Sequence, residues 1–421
     1  MRVPQPSLSQ LARVFGRIGV LSFGGPAAQI SLMHDALVDR EAWLSEDEFL
    51  RALSFCMLLP GPEAMQLATY AGWRVGGVRG GLIGGLLFVV PGAIVIFALA
   101  LLYGAYGDLT LVQAAFVGIK ATVVVIVLQA LWKLGRKALR TPDRWVIAGL
   151  SFAAIFALSL PFPAVIAAAA AYGYAAMPRT STPIEAAPPA GSRLARTLVV
   201  WGGLWLAPIA MLWAVGARFL TELALFFATL AVVSFGGAYA VLAYMTQTVV
   251  TDKGWIGTAQ MIDALGLAET TPGPLILVTQ FVGILAGLAQ GGTGLGLAAG
   301  VLTLWVTFVP CFLWIFAGAP YVEWIGTRPR LAQALSAISA AVVGVILNLS
   351  VWFALHVFFA SVTDRRFGPM TLAVPDLNSF EPAAGALCGG AATLLLLARW
   401  PLPLVLGAVA GAGAGLAMIT G

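Results

Sequence analysis

The sequence predicts an all-α polytopic membrane protein made of two inverted-topology repeats, with helices broken at Ser-Phe-Gly-Gly and Pro-Gly-Pro motifs. Of the 421 residues, 60% are hydrophobic and 10% charged, and the mean hydropathy is +0.94, a composition suited to lipid rather than to a water-soluble core. Ser22-Phe23-Gly24-Gly25 recurs as Ser234-Phe235-Gly236-Gly237, Trp43 as Trp255, and Pro60-Gly61-Pro62 as Pro272-Gly273-Pro274, all at a constant offset of 212. A repeated unit is thereby written into the chain. The Lys and Arg content of matched loops also changes sign between the two copies.

Composition excludes several classes of function. The net charge of +5 and a sequence pI near 9.3 come from basic residues in short loops between apolar segments, not from a stripe with interleaved aromatics. They read as orientation signals, and no nucleic-acid partner is expected. The three cysteines, Cys56, Cys311 and Cys388, lack metal-like or redox-like spacing, and His34 and His356 are too few for a cluster. No metal, disulfide framework or other cofactor is expected. Arg2, Arg13 and Arg17 are spread into the first apolar run without a cleavage pattern, so no removable signal peptide is expected.

In chain order, residues 8 to 37 and 47 to 76 are apolar stretches of about thirty residues, more than one straight span needs. Each is interrupted, at Ser22 to Pro26 and at Pro60 to Pro62. A crossing helix broken at mid-depth and a re-entrant hairpin both fit. Spans follow at about 80 to 103, 110 to 132, 145 to 160 and 162 to 177, the last two short enough to pair across Pro161-Phe162-Pro163. The first repeat is thus 1 to 177. A polar, Pro-rich linker covers 178 to 196 and is expected in the cytoplasm. A lone span at 197 to 217 has no counterpart in the first repeat.

The second repeat, 218 to 421, has broken segments at 219 to 250 and 258 to 289, then spans at about 297 to 318, 331 to 359, 384 to 399 and 401 to 419. Past the second Pro-Gly-Pro the offset becomes 219, matching Val90-Pro91 to Val309-Pro310 and Pro161 to Pro401 after a further shift. The loop at 133 to 144 carries Lys133, Arg136, Lys137, Arg140 and Arg144, whereas its equivalent at 360 to 383 mixes Arg365 and Arg366 with Asp364, Asp376 and Glu381. Conversely, the loop at 104 to 109 has no basic residue while its equivalent has Arg328 and Arg330. The extra span at 197 to 217 therefore inverts the second unit, as in many secondary transporters. The N-terminus is expected in the cytoplasm of a cell whose plasma (inner) membrane holds the chain.

The breaks are where chemistry is expected. Proline removes a backbone donor and frees a carbonyl one turn earlier, which lipid cannot satisfy, so such a break must be buried in protein or line a cavity. A half-helix starting after Pro62 or Pro274 offers its first amides and a partial positive charge. Substrate-binding candidates are Ser22, Phe23, Gly24, Gly25, Pro60, Gly61, Pro62, Gln66, Ser234, Gly236, Gly237, Thr270, Thr271, Pro272 and Gly273. Amides and hydroxyls in that pattern favour a desolvated anion with several oxygens. The bland reading of each break taken singly is a packing kink.

Lys120 lies ten residues into its span, where a charge costs about 2.5 to 3.5 kcal/mol on insertion scales. It is either a substrate or counter-ion contact or the partner of an acid such as Glu63. Glu63 directly follows the first Pro-Gly-Pro, and Glu269 precedes the second by two residues; neither is matched in the other repeat. Both are proton-coupling candidates, since burial favours the neutral carboxyl, although Glu63 could equally cap its half-helix. Thr69, Gln280 and Asn348 are read as helix-to-helix hydrogen-bonding groups first. Arg74 and Arg79 read as interface anchors, and Trp43 and Trp255 as anchors or plugs. The loop from Asp39 to Glu48 reads as solvated. His34-Asp35 has no accompanying nucleophile motif, so no catalytic residues and no enzyme activity are expected. Glycine faces such as Gly76, Gly80 and Gly84 leave packing within one chain and a homodimer both open.

Two long stretches carry a family resemblance. They are Phe23-Gly24-Gly25-Pro26-Ala27-Ala28-Gln29-Ile30 with Met33-His34 and Trp43-Leu44-Ser45, and Cys56-Met57-Leu58-Leu59-Pro60-Gly61-Pro62-Glu63-Ala64 with Gln66 to Tyr70. Their second-half counterparts are Ser234 to Tyr239 and Leu267 to Leu275. At these residues the chain resembles the chromate ion transporter family in its long, two-domain form, departing at Met65, where glutamine is expected. The resemblance implies export of chromate from the cytoplasm and chromate resistance, driven by the proton gradient, with sulfate as the related dianion. Two rivals remain: a sulfate or other oxyanion transporter, and a membrane enzyme or scaffold acting on lipid head groups, which would need a polar cluster at one interface.

Overall fold

A computed structural model describes residues 6–23, 25–107, 109–176, 192–235, 238–322, 329–368 and 370–420. Gly24, Gly236 and Gly237 of the expected site, Arg328, and the linker up to residue 191 lie outside them. The regular structure of the described residues is helical except for one small hairpin. In order, α1 is Leu8–Leu21, α2 Gly25–His34, α3 Glu46–Cys56, α4 Glu63–Tyr106, α5 Thr110–Ala138, α6 Pro142–Phe156 and α7 Phe162–Ala175. Then come α8 Ser192–Ala214, α9 Arg218–Val233, α10 Ala238–Thr246, α11 Thr258–Thr270, α12 Val278–Gly318, α13 Pro329–Phe358, α14 Pro382–Ala392 and α15 Leu402–Thr420. Helices long and apolar enough to cross a membrane are found in Glu63–Tyr106, Thr110–Ala138, Leu194–Ala214, Leu275–Tyr321 and Arg330–Phe358. Together with the shorter apolar helices they make an all-α polytopic membrane protein.

Local chemistry sets the helix starts. Ser7 and Ser45 each form a capping box, with Gln10 and Glu48 closing the reciprocal bond. Pro142 and Pro382 occupy first-turn positions where the missing amide costs nothing. Pro91 and Pro310, matched across the repeat, lie inside α4 and α12, which long membrane helices tolerate when neighbours satisfy the freed carbonyl.

The chain divides into two compact units that cut across the sequence repeats. The first holds 1–101, 177–238 and 271–332; the second holds 102–176, 239–270 and 333–421. In the first unit, the interrupted segments fold back as hairpins instead of crossing. Glu48, in the first turn of α3, pairs with Arg74 near the end of the first arm of α4 at 2.8 Å, which brings together the two ends of the segment and leaves Pro60-Gly61-Pro62 at its tip. Likewise Phe15 of α1 packs its ring 6.2 Å from that of Trp43, beyond α2. A straight helix would separate those residues by about 40 Å.

α4 and α12 are themselves bent into two arms at glycine pairs. Gly77 (φ 60, ψ −154) and Gly292 (φ 74, ψ −166) adopt nearly the same left-handed geometry. Behind the first bend, Gly72 backs onto Gly80 and Gly84 onto Ala68, so closely that a Cβ on any of these glycines would strike backbone. The glycine face at Gly80 and Gly84 is therefore used within one chain. The extra span α8 lies on α12, where Trp205 Nε1 donates to Val306 O and Trp305 Nε1 donates to Leu204 O, both at 2.9 Å.

The duplication extends to details no motif announces. α2 and α10 each run on into a π-helical turn, Asp35–Arg40 and Gln247–Asp252, again 212 residues apart. After each turn a tryptophan amide closes back on it: Trp43 N–H to Leu37 O at 2.8 Å and Trp255 N–H to Val249 O at 2.9 Å.

In the second unit, α5 packs along α15 and against α11 and α14. Its glycine Gly118 meets the backbone at Val409, and Ala121, Val125, Leu387, Ala391, Val405 and Val409 form a buried apolar cluster. The stretch 360–383, expected as a loop, contains an antiparallel hairpin of β1 Val362–Phe367 and β2 Met370–Pro375. Val362, Thr363, Phe367, Thr371 and Val374 favour extended backbone, and Gly368 turns the chain at φ +63.

Candidate functional site

The four interruptions meet in pairs, and the pairs are crossed between the two sequence halves. Gly273 N–H donates to Ser22 O at 2.9 Å, and Gly61 N–H donates to Ser234 O at 3.0 Å. Each Pro-Gly-Pro of one repeat is thus tied to the Ser-Phe-Gly-Gly of the other by the same backbone bond. Gly61 (φ +117) and Gly273 (φ +89) hold left-handed conformations that L side chains rarely adopt. A Cβ at Gly61 would also sit 2.8 Å from Gln66 Nε2 and 3.0 Å from Cys311 Sγ.

Two buried carboxamides take up carbonyls released by the breaks. Gln66 Nε2 donates to Pro60 O at 2.6 Å. Gln29 Nε2 donates to Gly273 O at 2.7 Å and to Ser22 O at 3.2 Å, binding one whole crossed pair together. A third, Gln280, reaches Ala93 O at 3.3 Å. With their amide groups spent this way, Gln66 Oε1 and Gln280 Oε1 remain buried acceptors without a protein partner. Close above the second break, the Pro272 carbonyl lies against Gly92 of α4, which leaves no room for a side chain there.

The hydroxyl protons are committed to helix carbonyls: Ser22 Oγ to Ile18 O at 2.6 Å, Ser234 Oγ to Ala231 O at 2.9 Å and Thr270 Oγ1 to Leu267 O at 2.7 Å. The two half-helices start differently. The first in-line bond of α4 is Gln66 N–H to Pro62 O, so the amides of Glu63, Ala64 and Met65 stand ahead of the helical ladder, with the Glu63 carboxylate in the first turn at the positive end of the dipole. After Pro274 comes a single 3₁₀ turn, Leu275–Leu277, before α12 begins. Glu269 is buried in the last turn of α11. Phe23, by contrast, is exposed.

Lys120 belongs to the second unit, and its partner is Asp263 rather than Glu63. Nζ lies 2.9 Å from Asp263 Oδ1, and Tyr103 donates its hydroxyl to the other oxygen, Oδ2, at 2.6 Å. Gly266, one turn beyond Asp263, brings α11 against Ile119 of α5, which sets the two charges at contact distance. Asp263 is a residue that motif reading misses. Its signal is a single acid in the apolar run Met261 to Leu267, matched in the first repeat by Arg51. Asn348, read as a helix-to-helix bonding group, instead helps line a cavity of about 160 Å³ with Ser159, Thr246, Gln247, Thr251 and Trp352.

At the loop ends of the first hairpins, His34 bridges two carboxylates, with Nε2 2.6 Å from Glu46 Oε2 and Nδ1 3.1 Å from Asp39 Oδ2. The hydrogen bond to Glu46 is the main cause holding the His34 imidazole above its ordinary pKa. Glu48, in its capping box with Ser45 and beside Arg74, is held below the usual glutamate value. The loop read as solvated is largely exposed, and within it these side chains form an ion-pair cluster.

Comparison with known proteins agrees with this architecture. Residues 9–174 and 221–416 match the family described as chromate transporter, leaving out the linker and α8. The chain is 32% identical over 345 residues to a probable chromate transport protein of Synechococcus elongatus, covering 82% of this chain and 84% of that one. It is 32% identical over 380 residues to a chromate transport protein of Pseudomonas aeruginosa, covering 88% and 85%. It is 28% identical over 400 residues to a chromate transport protein of Cupriavidus metallidurans, covering 95% of each. No solved structure matches the chain. The family match over most of its length and these relatives identify this chain as a member of the chromate transporter family, a membrane transport protein rather than an enzyme.

Proposed function

We propose that the protein exports chromate from the cytoplasm across the plasma (inner) membrane, coupled to protons, and so confers chromate resistance. The observation that carries this reading is the crossed bonding of Gly61 to Ser234 and Gly273 to Ser22, in a chain of this family. Ser22, Phe23, Gly25, Pro60 to Gln66, Ser234 and Thr271 to Gly273 are the oxyanion station of the first unit in this reading, where the amides at the start of α4 supply donors. Lys120 supplies positive charge in the second unit. Glu63 and Glu269, the unmatched acids beside the breaks, are proton carriers in this reading. The two repeats lie inverted, with the N-terminus cytoplasmic. The matched glycine bends and π-helical turns support duplication, and the reversed Lys and Arg bias of the loops supports inversion.

Proteoliposomes holding the purified chain are expected to take up labelled chromate in counterflow, with sulfate competing. Absence of chromate flux would overturn the assignment, and sulfate flux exceeding chromate flux would move it to another tetrahedral dianion. A reporter fused after Ala373 is expected outside the cytoplasm, and a cytoplasmic reporter would remove the inversion.

A further inference from the structure

Burying a charged pair in a membrane protein is costly, and packed apolar residues often give equal or better stability. Lys120 and Asp263 are nevertheless held together, and their exposure is unequal. The Lys120 side chain is 20% exposed and that of Asp263 8%, so an incoming anion can reach the ammonium while the carboxylate stays enclosed. Tyr103 holds Oδ2 by its hydroxyl and is itself fixed edge-on against Phe116 of α5, 5.4 Å between centroids. The backbone of α5 is clamped on its other side by the close contact of Gly118 with α15. The geometry is that of a fixed cation with a tethered carboxylate where a diffusible anion would sit.

We propose that Asp263 is a built-in stand-in for the transported oxyanion: the oxyanion displaces its carboxylate from Lys120, and the released carboxylate takes up a proton. This deepens, and rests on, the oxyanion-transport reading. The charge ledger balances. In the empty protein Lys120 and Asp263 neutralise each other. When the anion arrives, its oxygens accept from the Lys120 ammonium, and a proton from the adjoining solution joins an Asp263 oxygen, leaving a neutral carboxylic acid. Without that proton, an unpaired carboxylate would remain enclosed beside the anion, and both desolvation and like-charge repulsion oppose it. On release the proton leaves and the ion pair reforms. Anion and proton therefore share one loaded state and travel in the same direction, so the outward drive on chromate comes from the membrane potential acting on the net negative charge and not from the inward proton gradient that the family resemblance implies.

The groups around Asp263 are consistent with this role. From α5 it faces Lys120, with Lys133, Arg136 and Lys137 three or more turns further along that helix. From the end of α4 it faces Tyr103. α15 brings no titratable residue, and on α11 itself the nearest is Glu269, nearly two turns away. Repeat symmetry supplies no duplicate, because Arg51 stands at the place of Asp263 and Ser339 at that of Lys120. One exchange pair per chain follows.

The test uses the full chain in proteoliposomes, with the membrane potential clamped and a pH dye inside. Wild-type counterflow of chromate first establishes transport, and its absence would sink the transport reading and not this inference. Given flux, chromate entry is expected to acidify the lumen, and an acidic exterior to accelerate entry by about tenfold. Asp263→Asn is expected to diminish the chromate-evoked proton signal, leaving only what Glu63 and Glu269 carry, and to weaken the gradient response by at least about twofold. Because this variant strands the Lys120 charge and could fail to fold, Lys120→Gln/Asp263→Asn serves as the second arm, removing both charges without leaving one unpaired. It is expected to fold with wild-type melting behaviour and to lose chromate flux by at least about tenfold. Proton movement opposite to chromate in the wild type would overturn the proposal. So would an undiminished proton signal in Asp263→Asn, or wild-type flux and gradient response in the double variant, which is what a purely structural pair gives.

Discussion

The two Pro-Gly-Pro interruptions have the same backbone and different side chains. Each puts its glycine in the left-handed region and donates that glycine's amide to a serine carbonyl from the other half of the sequence. Around this shared frame the chemistry diverges. The first break is held from its own side by Gln66 and opens directly into α4 with Glu63 in the first turn. The second is held by Gln29 from the other half, opens through a 3₁₀ turn and has Leu275 in the place of Glu63. Backbone geometry is constrained because a membrane offers no substitute for a lost hydrogen bond. Side chains that only tune the site are free to differ.

If the frame is the shared element, substitutions that strike it should be severe in both halves. The largest effect is expected for Gly92→Ala, whose new methyl meets the rigid Pro272 carbonyl instead of a yielding side chain; about 3 kcal/mol of stability is lost, read as melting temperature in detergent together with chromate flux. Gly61→Ala and Gly273→Ala come next, each at about 1 to 3 kcal/mol for the left-handed backbone. Gly61→Ala should be the worse of the two, since its Cβ would sit 2.8 Å from Gln66 Nε2 while at Gly273 the nearest atom is 3.1 Å away. Equal tolerance of alanine at all three glycines would show that the crossed frame does not carry the fold. Carboxamide loss is smaller: Gln29→Leu strands Gly273 O and takes a second donor from Ser22 O, which keeps the Gly273 amide, whereas Gln66→Leu strands Pro60 O alone, at about 1 to 3 kcal/mol per stranded group. Gln29→Leu should therefore melt lower than Gln66→Leu, and the reverse order would refute the assigned roles.

The same contrast explains what the sequence made legible. A fixed offset of 212 reveals any element that both copies keep, so the breaks, the tryptophans and the broken α-helical class were readable directly. Lys120 was readable too, because a lone cation deep in an apolar span is conspicuous. What the offset cannot reveal is a contact between elements that are not matched. Whether the interrupted segments cross or fold back is decided by Glu48 meeting Arg74, two residues that each look like ordinary interface charges. Asp263 stayed hidden for the same reason. On a segment read as either crossing or hairpin its depth is undetermined, and Arg51, its counterpart in the first repeat, gives no hint of a partner on α5. The crossed bonds were equally out of reach, since a duplicated motif does not say whether it pairs with its own copy's neighbour or with the other's.

The two π-helical turns show the same divergence at the surface, where the effects are smallest. The first turn and its flanks carry His34, Asp35, Asp39, Arg40, Glu46 and Glu48 in ion pairs, whereas the matched positions of the second are Thr246, Gln247, Thr251, Asp252, Thr258 and Gln260, with a single acid among them. His34 is raised above 6.5, so its contribution is fully present below that value and is lost as pH rises through the elevated pKa. Glu48 is lowered below 4.5, so its contribution is present above that value and is lost as pH falls through the depressed one. Both operate together in the window between 4.5 and 6.5. Amide exchange across residues 35 to 48 should be slowest in that window by a few-fold after correction for intrinsic rates, because exposed pairs are screened by solvent and worth little. Residues 247 to 260 should show no such minimum. His34→Gln should remove the loss on the alkaline side and leave the acid side in place. A profile for 35 to 48 that tracked the one for 247 to 260 across the whole range would mean that the cluster, though ordered, does not hold the first turn.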